Sequence, residues 1–191
     1  MIKHFTPLEF FQYEKEHGMT SDFIPYLKLH YSLGEKIKVL LNPKTVLEIG
    51  AGAGALLEYF LKEGIDATAV DHSIYHKQYF ESRNPQWYYK YVVHDLADDL
   101  QDLNVDVIVS IECFEHLEDK VLEKAIDYVA RNCKYFVFSS TPIPDPEFDV
   151  QWGHVNVKPT EEWIKIFEDK GMKLKYRWDV PTEWTLVFIS R

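Results

Sequence analysis

Glycine recurs at every second position in Gly50-Ala51-Gly52-Ala53-Gly54, directly after the apolar run Thr45–Ile49 and before a stretch of helical period. Glycines so spaced let a chain turn tightly and let its backbone approach a ligand with no Cβ in the way. The helix that follows would aim its first amides at whatever sits there. Glu48 stands just ahead of the turn, an awkward place for a carboxylate beside a pyrophosphate but a suitable one beside a cation. Asp71 lies about 20 residues further on, where a ribose-binding acid is expected. Gly50-x-Gly52-x-x-Ala55 also fits the dinucleotide fingerprint, so the turn alone leaves the ligand open.

A second chemical centre lies in Ile111-Glu112-Cys113-Phe114-Glu115-His116-Leu117. If the chain turns helical there, Glu112, Glu115 and His116 stand at i, i+3 and i+4 and share one face. Two carboxylates and an imidazole converging on a pocket suit proton abstraction or divalent-metal binding. The plainer alternative is that they only shape the pocket.

The surrounding elements place both centres at strand ends. Apolar, β-branched runs alternate with helical-period segments over residues 45–190, which argues for a parallel sheet with crossover helices. Strands are expected at Thr45–Ile49, Ile65–Val70, Trp87–Val93, Val105–Ile111 and Tyr135–Ser139, with a helix over Ala53–Lys62 that stops before Gly64. A helix with Thr160 as its cap should run to Gly171. Lys173–Trp178 and Trp184–Ile189 follow, joined so closely that they can only pair antiparallel. Ser21–Leu41 carries Leu27, Leu33, Ile37 and Leu40 at helical spacing, which makes residues 1–42 a helical covering element or lid. The Pro-rich loop after the fifth strand, residues 141–146, sits where ligands bind in such sheets, and Phe148 and Trp152 just beyond it are candidate acceptor contacts. The aromatic cluster between Tyr75 and Tyr91 reads mainly as core.

Composition narrows the field. The chain has 191 residues, 46% hydrophobic and 27% charged, suiting one soluble domain over 1–191 with a single core. No apolar run reaches the roughly 20 residues that cross a bilayer, and no secretory leader is evident. Membrane association is therefore not expected. With only Cys113 and Cys133, a disulfide framework is improbable and a cytoplasmic setting is the default. The net charge of −10, with the C-terminal lysines interleaved among acids, disfavours nucleic acid or another long polyanion as a partner. Oligomeric state is not legible.

Taken in order, Leu47-Glu48-Ile49-Gly50-Ala51-Gly52-Ala53-Gly54, Val70-Asp71, His94-Asp95-Leu96 and Asp106-Val107-Ile108-Val109-Ser110 resemble the successive motifs of class I S-adenosylmethionine-dependent methyltransferases. The resemblance covers residues 45–190. It implies a Rossmann-like three-layer α/β/α sandwich, with a mostly parallel seven-stranded sheet and one antiparallel strand near the C-terminus. It also implies that Glu48, Gly50, Ala51, Gly52 and Gly54 line the methionine part of S-adenosyl-L-methionine. Asp71, with His72 beside it, would meet the ribose, Asp95 and Leu96 the adenine, and Ile111 the region near the sulfonium. Glu-x-x-Glu-His resembles the ubiquinone-biosynthesis and small-RNA 2′-O-methylating groups. That likeness implies a Mg²⁺ or Mn²⁺ site of Glu112, Glu115, His116 and the later His154, or acid–base roles for Glu115 and His116. Many small-molecule members carry Glu-His-Leu at this place with no metal. The family often has Pro-Gly-Gly before the fifth strand; here Arg131-Asn132-Cys133-Lys134 stands instead. The expected activity is methyl transfer to a small or medium-sized acceptor, at oxygen. The alternatives are a short NAD(P)-dependent oxidoreductase and a methyltransferase-like binding module without activity.

Overall fold

The computed structural model describes residues 6–146, 149 and 152–190. Seven strands form one sheet: β1 (Thr45–Ile49), β2 (Asp66–Asp71), β3 (Tyr91–Val93), β4 (Val105–Ile111), β5 (Cys133–Ser139), β6 (Lys173–Trp178) and β7 (Thr185–Ile189), in the order β3-β2-β1-β4-β5-β7-β6. β1 with β2, β2 with β3, and β4 with β5 run parallel, while β7 is antiparallel to both β5 and β6. This is the mostly parallel sheet with one antiparallel strand that the sequence led us to expect.

The helices among the described residues are α1 (Pro7–Glu16), α2 (Ile24–Leu41), α3 (Ala55–Lys62), α4 (Ile74–Arg83), α5 (Asp119–Asn132) and α6 (Thr160–Asp169). By contact density the chain divides into two compact units, one ending at Asp95 and the other continuing from Leu96.

In the first unit β1 is buried over Val46–Ile49, as its unbroken apolar run dictates for a strand covered on both faces. α3 begins at Ala55 rather than Ala53, because Gly54 adopts φ 72° as its cap. α2 packs on α3: Tyr31 Oη donates to Glu58 Oε1 at 2.8 Å, and a Cβ on Gly34 would stand 2.3 Å from the Tyr59 ring. Leu33 and Ile37 are buried as the helical spacing requires, whereas Leu40 is exposed. α1 opens with a reciprocal capping box between Thr6 and Glu9.

The expected third strand, Trp87–Val93, shrinks to Tyr91–Val93. Asn84-Pro85 breaks the chain out of α4, and Pro85–Lys90 winds as a 3₁₀ turn. Within the aromatic cluster, Phe80 and Tyr91 are buried core while Tyr88 and Tyr89 are exposed.

In the second unit Phe114, Phe136, Phe138, Trp163, Phe167 and Phe188 form the core, in edge-to-face and tilted pairs with centroids about 5–6 Å apart. α5 runs straight into β5 with no intervening turn. Asn132 replaces the Pro-Gly-Gly device: its amide donates to Asp102 Oδ1 (2.8 Å) and accepts from the Leu103 amide (3.2 Å). Thr160 is the first helical residue of α6, and Pro159 is its cap with no side-chain hydrogen bond. The expected threonine cap is thus displaced by one residue, since Pro159 already supplies the extended entry. No helix among the described residues is long and apolar enough to cross a membrane.

Candidate active site

In the first unit, the glycine loop is held from the strands beside it. The Gly50 amide donates to Val70 O (2.9 Å), Gly54 N to Ala51 O (2.9 Å), and Tyr91 Oη to Gly52 O (2.7 Å). Gly50, Gly52 and Gly54 all have positive φ, at 74°, 49° and 72°, which is why glycine stands at each. A Cβ on Gly54 would press into the Phe80 ring at 2.5 Å. At Gly52 the space is open by contrast, bounded by Glu14 Oε1 and Tyr26 Oη at 3.9 Å. Gly54 therefore serves packing, and Gly52 leaves room.

Glu48 is buried, and its Oε2 has no hydrogen-bonding partner. Burial chiefly pushes its carboxyl up to about 8, opposed by the Leu57 amide and aided by the Asp71 charge. A buried acid left so is costly unless a cation joins it. Asp71, also buried, accepts from Gly52 N (2.9 Å) and Ser73 N (2.8 Å). Burial alone would raise its carboxyl, but His76 and those two amides hold it below the ordinary value. It is an oriented anion with lone pairs remaining, the requirement for receiving ribose hydroxyls. His72 is exposed, with Nδ1 3.6 Å from Asp71 Oδ1. Asp95 is exposed in the loop after β3, and Leu96 half-buried begins the second unit. The glycine cradle, the unpaired Glu48 oxygen and the fixed Asp71 carboxylate fit the aminoacyl and ribose parts of S-adenosyl-L-methionine.

In the second unit β4 ends at a half-buried Ile111. The following segment is not one helical face, as the i, i+3, i+4 spacing suggested. Glu112 turns left-handed at φ 47°, and only Phe114–His116 makes a 3₁₀ turn. Glu112 is drawn toward β5 and the β6–β7 turn: it accepts from Ser139 Oγ and from Trp184 Nε1 (3.0 Å). Glu115, His116 and His154 do converge, each offering a ligand atom within 4.8 Å of the others. The His116 and His154 rings meet edge-on at 4.7 Å.

Glu115 is fully buried, and neither carboxylate oxygen has a hydrogen bond. Burial first, and the Glu112 carboxylate second, hold its carboxyl well above the usual range. An orphaned buried carboxylate beside two imidazoles is a donor set that suits a divalent cation. Glu112 belongs to the acid pair but not to the three-residue convergence.

The loop carrying His154 is strapped onto this turn. Val155 N and Asn156 N both donate to Glu115 O (2.8 and 2.9 Å), and Asn156 Nδ2 reaches Leu117 O (2.7 Å) and Asp119 Oδ1 (3.0 Å). His154 Nδ1 bonds Asp149 Oδ1 at 2.9 Å, which fixes how the ring is presented. Asp149 and Asn156 carry no signal readable in the sequence. Trp152 is half-buried in this loop, and Phe148 lies outside the described residues. Cys133 does not suit nucleophilic work: it is buried, its thiol pushed to about 12 chiefly by desolvation.

Comparison with known proteins agrees with this architecture. The methyltransferase-domain family matches residues 26–177. Among solved structures, the PH0226 protein of Pyrococcus horikoshii OT3 superposes with TM-score 0.75 at 15% identity, covering 94% of this chain and 99% of that one. Magnesium protoporphyrin IX methyltransferase of Synechocystis PCC 6803, solved with bound SAH, gives 0.66 at 14% identity (87% and 84%). The methyltransferase domain of a bacterial CtHen1 gives 0.65 at 20% identity (86% and 97%). Against some longer methyltransferase chains the present one spans 56–59% of their length. No curated protein matches the sequence. The family match, spanning most of the chain with the glycine cradle and β4 inside it, makes this chain a member of the class I S-adenosylmethionine-dependent methyltransferases.

Proposed function

We propose that the chain methylates a hydroxyl of a small or medium-sized acceptor, with Glu115, His116 and His154 holding Mg²⁺ or Mn²⁺ against that hydroxyl. The observation that carries this reading is Glu115, whose buried carboxylate oxygens lack partners beside two imidazoles. S-adenosyl-L-methionine supplies an electrophilic methyl on a sulfonium, and a divalent ion lowers the pKa of a bound hydroxyl. The chain's own work is alignment, since in-line displacement gains most from fixed geometry. Glu48 receives the positive end of the cofactor, the glycine loop admits its backbone, and Asp71 fixes its ribose. His154, oriented by Asp149, and Glu115 steady the acceptor oxygen. With the ion bound, the acidified hydroxyl would release its proton to solvent, because an imidazole that holds the metal has no lone pair left to accept it. The charge of −10 favours a small acceptor over a polyanionic one.

Purified protein incubated with cell-extract metabolites and deuterated-methyl cofactor should yield labelled ethers or esters by mass spectrometry. Chelation should abolish their formation, and Mg²⁺ or Mn²⁺ should restore it. Label on nitrogen would overturn the choice of acceptor atom. Turnover indifferent to chelation would remove the metal and leave His116 as the base alone.

A further inference from the structure

His76 is the residue the cofactor motifs do not account for. It is 2% exposed in α4, yet it lies between two carboxylates from different elements. Its Nε2 bonds Glu14 Oε2 of α1, and its Nδ1 stands 3.7 Å from Asp71 Oδ1, an ionic contact longer than a hydrogen bond. The Phe11 ring, also from α1, packs edge-on against the imidazole at 5.2 Å. Glu14 is itself mostly covered, and its other oxygen bounds the open space at Gly52 together with Tyr26 Oη. One imidazole thus connects α1, the acid at the end of β2 and the rim of the glycine loop.

We propose that His76 is a positioning residue of the cofactor site, a latch whose bridge between Glu14 and Asp71 holds α1 over the glycine loop and aims Asp71 at the ribose. The proposal rests on the assignment of Asp71 to the ribose. Electrostatics give it a sign. Two buried carboxylates facing one another repel unless a cation separates them, and an imidazolium is that cation near neutral pH. Desolvation alone would lower the His76 pKa, but Asp71 and Glu14 outweigh it and raise it to about 9. The other titratable groups facing this cluster are His72 and Glu48 from the strand ends, Tyr26 of α2, Tyr79 of α4 and Tyr91 of β3. Burial raises all three tyrosines, so none competes as the charge between pH 7 and 9. With the imidazole neutral only one ring N–H remains, so the ring can no longer serve both carboxylates and the cation that separates them is gone, which loosens the hold on α1.

The test is S-adenosylhomocysteine affinity, measured by calorimetry from pH 6.5 to 10 for the wild type and for His76→Asn, Glu14→Gln, their double variant and Asp71→Asn. His76→Asn should weaken binding about tenfold near pH 7. Glu14→Gln should do much the same, and the double variant should add little, since each breaks the same bridge. The ratio of wild-type to His76→Asn affinity should fall toward one as pH rises through about 9; titration of the ligand's own amine cancels in that ratio. Amide exchange over residues 7–16 should lose its ligand-induced protection in both single variants. If His76→Asn does not fold, Glu14→Gln carries the same readouts. A pH-independent ratio, additive losses or unchanged exchange in α1 would overturn the latch. Unweakened binding by Asp71→Asn would instead sink the ribose assignment.

Discussion

Two regions of this molecule each bury a glutamate with a carboxylate oxygen that lacks a hydrogen-bonding partner, Oε2 at Glu48 and both oxygens at Glu115, and they reach that state by different routes. Glu48 stands on β1 just ahead of its own glycine loop, with the Leu57 amide and the Asp71 charge of the neighbouring β2 acting on it. Glu115 sits in a 3₁₀ turn whose neighbours come from His154, Asn156 and Asp149, more than 30 residues away. Glu58 shows what a satisfied buried glutamate looks like here. Tyr31, Lys62 and Asn84 all donate to it, and although burial pushes the other way, those partners pull its carboxyl below the ordinary value. Satisfaction was therefore available to this fold, and its absence at Glu48 and Glu115 reads as room kept for ligands.

The largest effect separating the two regions is expected at Glu115. Glu115→Ala should lower methyl transfer by roughly 10²–10⁴-fold, the range for removing a group that activates the acceptor. Affinity for S-adenosylhomocysteine should stay within about twofold, because the cofactor cradle is intact. Single-turnover kinetics alongside calorimetry would measure both. A parallel loss of cofactor affinity would erase the division of labour between the regions.

Glu48 should behave in the opposite way. Its carboxyl is raised from 4.5 to about 8, so protonation is favoured in the folded chain. The ligand-free protein carries no penalty below pH 4.5, loses stability as pH rises through about 8, and carries the full penalty above it. That penalty has an upper bound of roughly 5 kcal/mol. Glu48→Gln should then raise the melting temperature of the ligand-free protein at pH 8.5, leave it little changed near pH 4.5, and weaken cofactor binding roughly 10–100-fold. Thermal melts over that pH range, with and without S-adenosylhomocysteine, would check it. A variant less stable than wild type at pH 8.5 would mean that Glu48 has found a partner within the chain.

The same difference of route explains what could be read from residues alone. The glycine loop and six of the seven strands follow from local period and local sterics, and the structure keeps those strands with shifts of at most two residues. The sequence pattern overextended β3, because the aromatic and β-branched run Trp87–Val93 concealed the break that Asn84-Pro85 imposes. It placed Glu112, Glu115 and His116 on one helical face, where the positive φ of Glu112 and its bond from Trp184 pull the set apart. Asp149, Asn156 and the Glu14–His76 bridge have no spacing to announce them. They exist only once loops and helices distant in sequence have docked.

The finest distinction concerns Asp149. Its carboxylate bonds His154 Nδ1, so it fixes the tautomer and ring direction of one member of the cluster without joining it. Partners of this kind typically alter metal affinity 10–100-fold when removed. The bond spans an already strapped loop, with Val155 and Asn156 anchored on Glu115 O, so the lower end is the better expectation. Asp149→Asn should weaken Mn²⁺ binding about tenfold by titration calorimetry and leave cofactor affinity unchanged. The loss should be smaller than that of His154→Ala, because the asparagine carbonyl can still accept from Nδ1. Equal losses for the two variants would mean that Asp149 holds the loop itself, and not the histidine within it.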